Sequence, residues 1–275
     1  MTPRLSLNHV TVKTTRLPEI FDLLAESGIQ SIGLWREPVA KLGTELVLRG
    51  LRAAGLEVSS YTTGGFTVAP TTGGDPTAVD EVRRSLDEAA ELGARTVVIR
   101  AGGLPAGSRD LENARRGVED AIAELEPHAA SSGVPLALEP LHPLFAADRG
   151  VVVTLDSALD IVESFSSNSV GVALDVYNSW WDPGLVAAIA RAAGRIKVVQ
   201  IADWRVPLEA NPLHSRAMMG DGSIDFGPIL SALQLGGYRG DFEVEIFNEK
   251  VWGADPRKVI MLAKARFETQ ISSLF

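Results

Sequence analysis

The chain has 275 residues, of which 45% are hydrophobic and 22% charged, with a formal net charge of −9 and a pI near 5.0. That acidic balance argues against a nucleic-acid partner, which needs clustered Lys and Arg, and the absence of cysteine excludes disulfides, thiolate catalysis and Cys-ligated zinc. No run approaches the ~20 apolar residues of a membrane span, and the N-terminal MTPRLSLNHVTVK lacks the apolar stretch of a signal peptide, so the expectation is a soluble cytoplasmic protein.

Strand-like and helix-like segments alternate from end to end. LSLNHVTV near residue 5 reads as the first strand and LPEIFDLLAESG as the first helix. QSIGLW is followed by the helical pattern KLGTELVLRGLRAAG, LEVSSY by AVDEVRRSLDEAAELG, and RTVVIR by ENARRGVEDAIAELEPHAASSG. In the second half VPLALE, VGVALD, IKVVQIA and DFEVEIF are followed by SALDIVESF, GLVAAIARAAG, FGPILSALQLGG and PRKVIMLAKARFETQI. Glycines at 28, 55, 93, 133 and 194 stand where helices end. Eight such units without a break in composition predict a single-domain (β/α)8 TIM barrel over residues 1–275. An open doubly wound sheet is the competing architecture, but no glycine-rich phosphate turn follows the first strand. Long segments after strand ends, at 62–76, after RTVVIR, after VPLALE and after IKVVQIA, are where a barrel carries function.

Four polar residues close four successive strands of the second half: Glu139, Asp175, Gln200 and Glu245. A barrel puts these ends on one face, where carboxylates repel unless a proton or cation intervenes. Three carboxylates and a neutral amide oxygen suit one hard, oxygen-preferring divalent ion. The competing readings are a helix cap or turn for Asp175 and a hydrogen-bonded core amide for Gln200. His142, between Pro140 and Pro143, and His9, at the end of the first strand, point toward the same face or are structural. His128, inside a helix pattern, is structural or exposed, and His214, beside Arg216, contacts substrate or solvent. Arg216 and the aromatics Trp35, Tyr61, Trp180, Trp181 and Trp204 follow strand ends, a mixture that suits a carbohydrate; the alternative is that the tryptophans seal the barrel mouth. The GDGS turn at 220–223 either cradles an anion or shapes the last connection to a helix.

EPLHP at 139–143, LDVYNSWWDP at 174–183, QIADW at 200–204, MMGDGSIDF at 218–226 and VEIF at 244–247 resemble the xylose isomerase-like barrels of sugar phosphate isomerases and epimerases, over nearly the whole chain. The resemblance implies a divalent ion, Mn²⁺ first with Mg²⁺ or Co²⁺ as alternatives, held by Glu139, Asp175, Gln200 and Glu245. It also implies a substrate-contacting role for Arg216. Many of these proteins have histidine three residues after the aspartate; here Asn178 stands there, and an amide cannot shuttle a proton as imidazole can. The three-zinc endonucleases of the superfamily are rich in histidine, which this chain is not.

The resulting expectation is isomerisation or epimerisation of a small carbohydrate through a metal-stabilised enediolate. Glu139 and Glu245 act as acid and base, and His142, Asn178, Arg216, His9, Trp35 and Trp181 bind substrate. Elimination after the same proton abstraction, as in an inosose dehydratase or C-glycoside deglycosidase, is the first alternative. A non-catalytic sugar- or partner-binding barrel is the second. Barrels of this class often pair, so a homo-oligomer is compatible with the sequence.

Overall fold

A computed structural model of the protein describes residues 3–63 and 76–275. The strands are β1 (Arg4–Asn8), β2 (Ser31–Trp35), β3 (Glu57–Thr62), β4 (Val97–Arg100), β5 (Leu136–Glu139), β6 (Val170–Asp175), β7 (Ile196–Ile201) and β8 (Asp241–Val244). They pair in parallel in chain order, and β1 also pairs with β8, so the sheet closes on itself. Closure excludes the open doubly wound alternative and establishes the (β/α)8 barrel.

The helical layer holds α1 (Leu17–Ser27), α2 (Arg36–Leu42), α3 (Thr44–Ala54), α4 (Pro76–Leu92), α5 (Leu111–Ser132), α6 (Leu155–Val162), α7 (Val176–Ser179), α8 (Leu185–Arg191), α9 (Phe226–Leu235), α10 (Glu249–Trp252) and α11 (Pro256–Phe267). The pattern read as one helix from residue 41 to 55 is broken in two. Gly43 takes φ 93° and ψ 132°, a conformation open to glycine, and the chain enters helix seven residues earlier than Gly43, at Arg36. The long loop expected at 62–76 falls almost wholly outside the described residues.

The main apolar core lies between strands and helices, with Ile20, Leu24, Ile32, Leu86, Ile122 and Leu159 among its fully buried members. A second, smaller cluster joins Val98, Ala137, Ala173 and Val198. Because strand side chains alternate, these lie on the same strand face as Arg100, Glu139, Asp175 and Gln200, two residues further on. The strand-end polar groups therefore continue the barrel interior toward its mouth.

The interior on the β1, β3 and β8 side is polar. Glu243 is fully buried and accepts from Asn8 Nδ2 at 2.7 Å, Ser59 Oγ at 2.5 Å, Ser60 Oγ at 2.8 Å and Gln200 Nε2 at 3.3 Å. A carboxylate taken from water is tolerable only with such a set of donors. Gly33 in the middle of β2 makes the room: a Cβ there would stand 2.4 Å from the Glu243 carboxyl carbon. At the opposite end of the barrel Asp241 pairs with Arg4 and accepts from Ser31 Oγ at 2.9 Å.

Candidate active site

Glu139 and Asp175 are the last residues of β5 and β6, Gln200 is next to last in β7, and Glu245 follows β8 directly. All four are buried. Asn178, one turn after Asp175 on α7, joins the first two: its Nδ2 donates to Glu139 Oε1 at 3.0 Å and to Asp175 Oδ2 at 2.8 Å. The same Asp175 oxygen takes a 2.6 Å bond from Arg216, and Asp175 Oδ1 caps α7 by accepting from the Tyr177 amide at 2.9 Å. The cap reading of Asp175 holds, on a side chain that also meets Asn178 and Arg216.

Arg216 comes from a short antiparallel ribbon, Asp203–Trp204 against Arg216–Ala217, that folds over the mouth between β7 and β8. Its guanidinium is buried, donates to the Glu245 backbone oxygen at 3.3 Å and stands 3.8 Å from Glu245 Oε2. Burial disfavours this cation, but Asp175 and Glu245 more than offset it, and its pKa is raised. Glu245 also accepts from Trp35 Nε1 at 3.2 Å.

These groups border a cavity of about 220 Å³ at the mouth, whose wall includes Trp35, Glu139, Asn178, Arg216 and Glu245. The sequence reading missed two further cations in that wall, Arg100 and Arg149, together with Phe145 and Phe247. Arg100 was the findable one: it ends β4 and lies in register beside Glu139. Burial and the neighbouring Asp175 push Glu139 up to about 7 despite Arg100, Arg216 and the Asn178 bond. Burial, then repulsion from Glu139, Asp175 and Glu243, holds Glu245 well above the ordinary carboxylate range even beside Arg216.

Three expected substrate contacts lie outside that lining. His9 is buried with its Nδ1 accepting from the Trp35 amide at 3.2 Å, and burial lowers its pKa to about 4, so it is a neutral strut that aims Trp35. His142 stacks on Trp204 with centroids 4.9 Å apart, while its Nδ1 accepts from the Leu144 amide at 3.2 Å and its backbone amide donates to Asn178 Oδ1 at 3.3 Å. Trp181 packs edge-on against His142 and donates to the Asn178 backbone oxygen at 2.8 Å. Both fix the Asn178 segment from outside the cavity. Of the five aromatics, Trp35 lines the cavity. Tyr61 is buried with its hydroxyl on Glu88 at 2.6 Å, and Trp204 closes the mouth between His142, Tyr177 and Trp180. His128 meets Asp87 at 2.8 Å and His214 meets Glu249 at 3.3 Å, and neither is among the residues that line the cavity.

The GDGS turn cradles an anion that belongs to the chain itself. The amides of Gly220 and Gly222 each donate to Asp203 Oδ2 at 2.9 Å, and that of Ile224 donates to Oδ1 at 3.0 Å. These donors are engaged with Asp203, and their task is to anchor the ribbon that carries Arg216.

A divalent ion can be tested against this donor set. Among the described residues no group of three or more His, Asp or Glu side chains is drawn together to hold a metal, since Asn178 and Arg216 stand on the carboxylates. A fourth donor of another kind is ready, however. Gln200 Oε1 is buried without a hydrogen-bond partner, a state that costs free energy and that an oxygen-preferring cation would relieve. Three carboxylates and an amide oxygen are the donor types that a hard divalent ion takes.

The profile of the xylose isomerase-like TIM barrel matches residues 21–267. The chain belongs to this family. The crystal structure of protein SMc04130 from Sinorhizobium meliloti 1021 is 44% identical, covers 97% of this chain and 98% of that one, and superposes with a TM-score of 0.92. An L-ribulose 3-epimerase of Mesorhizobium japonicum is 29% identical over 134 residues, 48% of this chain and 40% of that protein. A 3-dehydroshikimate dehydratase of Pseudomonas aeruginosa is 30% identical over 144 residues, 50% of this chain and 22% of that protein. The matches therefore span less than half the length of either curated relative.

Proposed function

We propose that the protein is a divalent-metal-dependent isomerase or epimerase of a small carbohydrate, with Glu139 and Glu245 as the proton-transferring pair. The observation that carries this reading is that two buried carboxylates from β5 and the end of β8 face one small cavity, both shifted toward the protonated form. A base for a carbon acid must be shielded from water and have a raised proton affinity; burial acts on both counts here. The similarity to an L-ribulose 3-epimerase supports the substrate class.

Glu139, Asp175, Gln200 and Glu245 would hold the ion, Mn²⁺ for preference, which when bound polarises a substrate carbonyl and stabilises negative charge on adjacent oxygens. The chain's own groups do the rest. One of Glu139 and Glu245 removes the proton from the carbon between carbonyl and hydroxyl, and the other returns one. Asn178, which donates to Glu139 and Asp175, keeps the first carboxylate aimed. Arg216 balances the negative charge beside Asp175, and Trp35 offers an apolar face to the substrate while its Nε1 orients Glu245.

The same abstraction next to a ketone permits loss of a β-leaving group, and the similarity to a 3-dehydroshikimate dehydratase supports this second reading. The deciding experiment is incubation of Mn²⁺-loaded enzyme with a panel of keto-sugars in D₂O, followed by NMR and mass spectrometry. Deuterium at one carbon with the carbon skeleton otherwise retained is expected; loss of 18 mass units selects elimination. Glu245→Gln is expected to abolish exchange. Ligand binding with no exchange in the wild type would select the binding barrel.

A further inference from the structure

A second cleft, of about 450 Å³, opens at the same end of the barrel, where the turn after β1, the start of α1 and the end of α2 meet. Its lining shares no residue with that of the mouth cavity. Three cations line it, Lys13, Arg16 and Lys41, and no carboxylate does. All three are exposed, and none makes an ion pair among the described residues. Surface arginines elsewhere are neutralised: Arg83 meets Asp80 and Glu124, and Arg191 meets Asp156, Asp160 and Glu163. The carboxylates nearest in sequence to the three cations, Glu19 and Glu37, lie outside the lining. Lys13 Nζ stands 3.1 Å from the Trp252 ring centroid, a contact that holds the ammonium in place without cancelling its charge. In a chain of formal charge −9, a cleft lined by cations alone carries a local field that draws anions to it.

We propose that this cleft is a second binding site, for a small molecule that bears a phosphate group. The cations come from two separate segments, Lys13 and Arg16 ahead of α1 and Lys41 on α2. A phosphate carries about two negative charges on three oxygens that point in different directions, so it meets donors converging from two sides. A carboxylate offers two oxygens in one plane. Thr15 adds a hydroxyl to the lining, and Leu17, Pro38 and Leu42 give the body of the ligand an apolar face. His9 stands between the two cavities: it lines the cleft and its Nδ1 accepts from the Trp35 amide, while Trp35 lines the mouth. A ligand seated here bears on the support of Trp35 without entering the mouth cavity, and its binding is independent of the chemistry there.

The test is calorimetric titration at constant ionic strength with inorganic phosphate, D-ribose 5-phosphate and D-ribose. The proteins are wild type, Lys41→Gln, the triple variant Lys13→Gln/Arg16→Gln/Lys41→Gln, and Arg149→Gln as a change in the mouth cavity. The tighter of the two phosphates is expected to bind wild type at least about tenfold more strongly than ribose. Lys41→Gln is expected to weaken it about threefold, and the triple variant to bring the preference within about twofold, with the thermal midpoint kept because all three side chains are exposed. Arg149→Gln is expected to retain the full preference. Titration with inorganic phosphate is expected to shift the backbone amide resonances of Thr15, Leu17 and Lys41. No binding of either phosphate up to about 20 mM, a preference unchanged in Lys41→Gln and the triple variant, or a preference lost in Arg149→Gln each overturns the proposal. Deuterium exchange into a keto-sugar is read separately, so absence of the isomerase activity would leave this site standing.

Discussion

The side-chain amide of Gln200 donates to Glu243 at 3.3 Å, and its buried Oε1 accepts from no donor among the described residues. The other donors on Glu243 are Asn8, Ser59 and Ser60, so its oxygens act as acceptors and the amide can face it only with its nitrogen. Glu243 thereby sets which end of Gln200 is offered to the mouth. Glu243→Gln removes that choice, because either end of Gln200 can then pair. Mn²⁺ affinity, read by calorimetry and by the Mn²⁺ paramagnetic resonance signal, is expected to fall about tenfold. The exchange Gln200→Glu with Glu243→Gln is expected to restore it, and equal affinity in all three proteins would refute the orienting role.

Arg216 neutralises Asp175 where neither reaches water. Arg216→Leu leaves the aspartate buried and unpaired, at a cost of roughly 3–5 kcal/mol. Urea unfolding is expected to show that loss as a lower midpoint with the slope retained. A midpoint within error of wild type would mean that solvent reaches Asp175.

His9 makes stability pH-dependent with a definite sign. Its pKa is about 4 in the folded protein against 6.5 for a free imidazole, so below pH 6.5 the unfolded chain binds a proton that the folded one excludes. The contribution is complete above pH 6.5, declines as pH falls toward 4 and is flat below, with a full amplitude of about 3 kcal/mol. His9→Asn, which keeps an acceptor for the Trp35 amide, is expected to lose less stability than wild type between pH 7 and pH 4.5. Parallel losses in the two proteins would place His9 in contact with water.

Gly222 is held against Asp203 with no room for a side chain: a Cβ would stand 2.4 Å from Asp203 Oδ1 and 2.5 Å from the Trp204 backbone oxygen. Gly222→Ala therefore displaces the carboxylate from the three turn amides that hold it, and loss of two of these charge-assisted bonds alone is expected to cost about 3 kcal/mol. Because the same turn anchors the ribbon bearing Arg216, the variant is also expected to bind Mn²⁺ less tightly. A thermal midpoint unchanged from wild type would show that the turn relaxes freely.

The barrel was legible because its information is local. Continuous apolar runs ending at or near Glu139, Asp175, Gln200 and Glu245 alternate with helical patterns that stop at glycines such as Gly28 and Gly133, which take φ of 76° and 71°. The same strand count placed the four strand-end groups on one face, since a closed parallel barrel puts all its strand C-termini at one end. Position after a strand end points to Trp35 and Arg216, and the family resemblance points to Asn178; the structure brings these three into one cavity wall.

What the tertiary structure decided is the partner of each polar group, because partners come from segments far apart in the chain. Glu243 reads in sequence as one more residue of DFEVEIF; folded, it is the acceptor for residues on β1, β3 and β7. His9 resembles a ligand until Trp35 is seen on its Nδ1, and GDGS resembles an anion site until Asp203 is found inside it. Arg149 sits in an unremarkable loop, and only the fold places it in the cavity wall with Arg100 and Phe145. Sequence sets backbone periodicity, which fixes the face a residue occupies. The low dielectric of the packed interior then makes every buried charge depend on which donors tertiary closure brings within hydrogen-bonding distance.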